Sequence, residues 1–131
     1  MAEMSNYLEN ALLNGTLNAT TYTAPTTVYV SLWTSDPTDD GSGTEVSTSG
    51  GYSRTAVSFA TAVGTGGNVL NDAVVEFPAA TSGWGTVGWI GINDAAASGN
   101  LMYHTALDAA KTIDTGDIFK IAVGNLSVTL A

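Results

Sequence analysis

From Thr27 to Thr34 the chain alternates, with Val28, Val30 and Leu32 on one side and Tyr29, Ser31 and Trp33 on the other. That period of two predicts a strand, and because both sides carry apolar residues, one side predicts a core and the other a second buried contact. Residues 52–60 alternate again through Thr55, Val57 and Phe59, and residues 69–77 through Val69, Ala73, Val75 and Phe77, with Asn71 on that same face predicting a bulge or late start before Pro78 ends the run. Residues 86–92, 101–107, 118–123 and 126–130 complete seven or so short strands. Between them, turns are expected at 64–68, 79–85 and 109–116, with Gly124-Asn125 as a hairpin-type connection. The first segment breaks the pattern: Met4, Leu8, Ala11 and Leu12 fall at helical spacing, Asn6 with Glu9 resembles a capping box, and Asn14-Gly15 supplies a stop. The expected organisation is a docking helix over residues 1–15 and a β domain over residues 16–131. The helix is too short to be stable alone, so its stripe must pack on this domain or on another chain.

Composition supports the β reading. The 131 residues include 15 Gly, 19 Thr and 11 Ser, about a third of the chain, and this mixture disfavours helices while threonine suits a pleated surface. The fold class expected is all-β, an antiparallel β-sandwich or jelly-roll-like domain with a short N-terminal helix. With 44% hydrophobic residues and only 11% charged, the chain can bury a core and hide further surface against neighbours. The net charge of -9, from 3 Lys plus Arg against 12 Asp plus Glu, excludes nucleic-acid backbone binding as the main task. No apolar run is long enough to span a bilayer and no secretory leader is visible, so a soluble protein without a membrane partner is expected. The absence of cysteine removes disulfides and thiolate chemistry.

Candidate chemistry is sparse. Asp36, Asp40 and Gly41 match three positions of a calcium loop, but Thr38 and Ser47 break it, so the Asp36 to Glu45 loop is expected to be a solvated turn, with a weak cation site as the alternative. His104 is the sole imidazole, expected in a structural or interface role, and the serines form no nucleophile elbow. Gly64-Thr65-Gly66-Gly67 lacks phosphate-loop spacing and predicts a turn. No catalytic residues, cofactor or metal are therefore expected, and the protein is expected not to be an enzyme. Arg54, Lys111 and Lys120 are expected to pair with acids of this or a neighbouring chain. The aromatic and helical apolar residues Tyr7, Leu8, Leu12, Tyr29, Trp33, Trp84 and Trp89 are the candidate interface set.

Several ordered segments resemble small virion proteins of tailed bacteriophages that are labelled tail fibre proteins. They are Ser5 to Asn14, Tyr22 to Ser47, Gly50 to Arg54, Val75 to Thr81, Trp84 to Ile92, Gly99 to His104, Lys111 to Ile113 and Gly116-Asp117. Relatives carry basic residues after the opening helix, whereas Asn14 to Asn18 is neutral here. The resemblance implies a virion structural protein synthesised in the host cytoplasm. A compact chain of this length has a radius of gyration of only ~14 Å, which excludes a fibre shaft. The leading expectation is an oligomeric capsid decoration or cement protein on the outer shell surface, a homotrimer whose partners are itself and other capsid or tail proteins. The alternative is a tail-fibre or baseplate subunit that binds a host glycan through Tyr52, Trp84 or the Asp36 to Glu45 loop.

Overall fold

A computed structural model describes residues 2–62 and 66–130, so the turn expected at 64–68 lies partly outside the described residues. In chain order the elements are β1 (Glu3–Met4), α1 (Asn6–Leu17), β2 (Val28–Trp33), β3 (Thr55–Val57), β4 (Asn68–Leu70), β5 (Val75–Glu76), β6 (Gly85–Asn93), β7 (Leu101–Ile113), β8 (Lys120–Ile121) and β9 (Ser127–Thr129). The architecture is an all-β antiparallel sandwich with a short N-terminal helix. A five-stranded sheet in the order β1-β7-β6-β2-β3 forms the main layer, and the pairs β4-β9 and β5-β8 accompany it.

Register explains which side of the main sheet meets the core. Val30 lies opposite Ile92 and Leu32 opposite Ile90, so these four residues share one face, and all are buried. An aromatic group belongs to the same core: Tyr52 stacks with Phe77 at 6.1 Å, meets the edge of Trp84 at 5.5 Å, and Phe77 meets Phe119 edge-on at 5.7 Å. Such ring pairs contribute ~0.5–1.5 kcal/mol beyond the area they bury.

The N-terminal helix differs from expectation at both ends. Ser5, one residue before Asn6, is the N-cap, and its hydroxyl accepts the Leu8 N–H. The helix passes Asn14-Gly15 and ends at Leu17, with the Asn18 N–H bonded to the Asn14 carbonyl. Leu8 enters the same core cluster as the sheet residues, and the preceding β1 pairs Glu3 with His104 and Met4 with Tyr103 on β7.

Three further differences have local causes. The run 69–77 divides into β4 and β5 because Asn71, fully buried, takes over the hydrogen bonds of that stretch: its Nδ2 donates to the carbonyls of Ala73 and Ala122, and its Oδ1 accepts the Leu126 N–H. The expected turn at 109–116 is strand as far as Ile113, since β7 continues to pair with β6 across a bulge opposite Gly88. Gly124-Asn125 turns the chain without making a hairpin, because β8 pairs with β5 while β9 pairs with β4.

Candidate functional site

The second face of the main sheet carries Ser31, Trp33, Gly91 and Asn93, with His104 and Leu101 beside them on β7. All are buried, yet the group is largely polar, and Ser31, Trp33 and Asn93 hydrogen-bond to one another. Trp33 Nε1 donates to Ser31 Oγ at 2.8 Å, and Ser31 Oγ donates to Asn93 Oδ1 at 2.6 Å. Gly91 is required where these side chains converge. A Cβ there would lie 2.7 Å from Leu101 Cδ1, 2.8 Å from Ser31 Oγ and 3.0 Å from Trp33 Nε1.

Above this floor, three segments enclose a polar cleft of about 330 Å³, at the lower end of the range that small-ligand sites occupy. The first wall is the Asp36 to Gly43 loop, in which Asp36 accepts the Thr38 N–H and Asp40 accepts the Ser42 N–H and the Thr38 hydroxyl. The second wall is the loop after β6, where the Asp94 carboxylate accepts both the backbone N–H and the side-chain amide of Asn100. The third is the helix entrance, with Ser5 donating to the Leu101 carbonyl and the Asn6 N–H donating to the Asp39 carbonyl at 2.9 Å. Thr38 and Ser98 hold left-handed backbones, φ 59° and 56°, one in each loop. For residues other than glycine this costs on the order of 1 kcal/mol, offset here by the surrounding hydrogen bonds.

Arg54 fastens the second wall to the core. Its Nε and Nη2 donate to the two oxygens of Glu45 at 2.9 and 2.8 Å, while Nη1 donates to the carbonyls of Ala95 and Ser98. The Glu45 contact holds the guanidinium pKa above its ordinary value. Glu45 also accepts the Tyr52 hydroxyl at 2.6 Å, and burial followed by this bond pushes the Tyr52 phenol well above its ordinary range. The hydrogen bonds from Thr38 and Ser42 hold the Asp40 carboxyl below the usual carboxylate range.

His104 anchors the other end of the first wall, with Nε2 2.9 Å from Asp39 Oδ1 and Nδ1 3.9 Å from Asp36 Oδ1. Among the described residues, Glu3, Asp39 and His104 bring one donor atom each within 4.8 Å of one another, the mixed oxygen and nitrogen set a divalent cation takes. The His104 to Asp39 hydrogen bond occupies two of those donors. In the calcium-like loop, the Asp36 and Asp40 carboxylates cap their own turns.

The candidate interface set is divided by the fold. Leu8, Trp33 and Trp84 are 3%, 5% and 6% exposed, so their side chains are covered by this chain itself. Trp84 Nε1 donates to the Gly50 carbonyl. Surface remains at Tyr7, which is exposed on the cleft wall, and at Leu12, Tyr29 and Trp89, which are half-buried. Tyr52 and Trp84, considered above as glycan contacts, lie in the core, whereas the Asp36 to Glu45 loop does form a cleft wall. The 94–100 loop carries no motif that marks it as a cleft wall, and its signal in the sequence is its small and polar residues between two alternating strands, the pattern of a loop held by a rigid scaffold.

The family model described as Podophage GP4 fiber I protein gp80 matches residues 3–129, nearly the whole chain. No curated protein matches the chain.

Proposed function

Because this chain belongs to the Podophage GP4 fiber I protein gp80 family, we propose that it is a non-enzymatic structural subunit of a phage tail fibre whose cleft takes part in binding a host-surface saccharide. The family match carries the fibre reading, since it covers both the sandwich and the N-terminal helix. The decoration role favoured by sequence reasoning has no comparable support. Saccharide binding is supported by the cleft, where the exposed carboxylates of Asp39 and Asp40 and the exposed ring of Tyr7 lie around a floor in which Ser31, Trp33 and Asn93 hydrogen-bond to one another. Carboxylates accept strong hydrogen bonds from sugar hydroxyls, and an aromatic ring covers an apolar sugar face.

Assembly into the particle uses different surface. Leu13 and Leu17 on α1 are 53% and 75% exposed, and with Leu12 they supply an apolar stripe for a second copy or a neighbouring virion protein. A homotrimer is the assembly proposed.

Electron cryomicroscopy of particles decorated with Fab fragments against this chain tests the placement. Fab density on the tail fibres is the expected result. Density confined to the capsid shell would replace the fibre reading with the decoration reading, and particles without Fab would end both.

A further inference from the structure

The charges around the cleft discriminate between classes of saccharide. Asp39 and Asp40 line one wall, and half of the Asp39 side chain is exposed. The hydrogen bonds of Thr38 and Ser42 keep Asp40 ionised into acidic conditions. Across the cleft stands Arg54, but its guanidinium is already engaged by both Glu45 oxygens and by two backbone carbonyls. The other two cations of the sequence lie elsewhere: Lys120 pairs with Glu76 at 3.4 Å on β8 and β5, and Lys111 sits near the far end of β7. Among the described residues, an anionic group entering the cleft therefore meets two carboxylates and no free cation, in the field of a chain carrying -9 overall.

A hydroxyl group meets the opposite situation, because ionised carboxylates accept only, and sugar hydroxyls donate. A protonated amine gains the same hydrogen bonds with added charge attraction. Asn100 also lines the cleft, with its Nδ2 donating to Asp94. Resting on the reading that the cleft binds a saccharide, we infer that the ligand is a neutral or amino sugar, and that Asp39 and Asp40 set this choice by rejecting acidic glycans. They are specificity-determining residues, with repulsion as the selective element.

The experiment is a glycan array displaying neutral, amine-bearing and uronic- or sialic-acid oligosaccharides, probed with the full chain and with the Asp39→Asn/Asp40→Asn variant, each confirmed folded by circular dichroism. The wild-type chain is expected to retain neutral and amine-bearing oligosaccharides and to bind the acidic ones at least ~10-fold more weakly. In the variant, the margin against acidic oligosaccharides is expected to shrink by about that factor. Acidic oligosaccharides bound as well as neutral ones, or a ranking unchanged in the variant, would overturn the charge selection while leaving saccharide binding in place. A folded wild-type chain that retains no oligosaccharide would overturn both.

Discussion

The two faces of the five-stranded sheet come from the same strands, yet they are covered in different ways. One face, with Val30, Leu32, Ile90 and Ile92, is aliphatic and packs into the cluster that holds Tyr52, Phe77 and Phe119. The other, with Ser31, Asn93 and His104, is buried but polar, and what covers it is loop rather than strand. An aliphatic face needs only shape and volume, so it is a foundation. A polar buried face has to satisfy each donor and acceptor, which fixes the loops above it and holds a cleft open. The division of labour proposed is therefore stability on one side and recognition on the other.

The largest effect separates the faces most sharply. Trp84→Ala removes a core ring and the bond to the Gly50 carbonyl, and should lower stability by about 3–5 kcal/mol in urea unfolding. Arg54→Ala tests whether the faces are joined, because this residue ties the cleft loop to Glu45 and through it to Tyr52. The expected loss is about 2–3 kcal/mol, accompanied by weaker saccharide binding. If stability falls and binding does not, the two faces are independent. Gly91→Ala introduces overlap beneath the cleft and should cost about 1–3 kcal/mol, read as a lower urea midpoint at constant slope.

Smaller still, Ser5→Ala removes the helix cap and the bond to Leu101, with about 1–2 kcal/mol expected from thermal unfolding. The smallest effect is that of Asp40, and it disappears in acid. The Asp40 carboxyl titrates below its unfolded value, so its stabilisation is fully present above the unfolded pKa of ~4 and is lost as pH falls through the lower folded value. Asp40→Asn should lower the melting temperature slightly at neutral pH and match the wild type once the pH falls below the folded value, so that the acid limb flattens. A deficit of the same size at neutral pH and in strong acid would show that Asp40 supports the fold by something other than its charge.

Much of the first face was legible from sequence. The alternation of Val28 to Trp33 located a strand covered on both sides, and the helical spacing of Leu8, Ala11 and Leu12 located the N-terminal helix, although Met4, read as part of the same stripe, lies in β1. Alternation reports that a face is covered, however, and not what covers it, so Trp33 and Trp84 read equally well as core or interface. Asn71 reads as an interruption, but two of its three hydrogen bonds, with Ala122 and Leu126, reach more than fifty residues along the sequence and leave no local trace. The cleft was legible only in part. The Asp-rich loop announced one wall, whereas the clamp of Arg54 on Ala95 and Ser98 spans more than forty residues and follows from the meeting of β2, β3 and β6.

The most direct test of the account is phage adsorption to host cells in the presence of excess purified chain. The wild-type protein is predicted to slow adsorption in proportion to its concentration, and the Asp39→Asn/Asp40→Asn variant, equally folded, to do so with altered potency. Adsorption that proceeds at the same rate with or without the wild-type chain would contradict a role for this protein in holding the host surface.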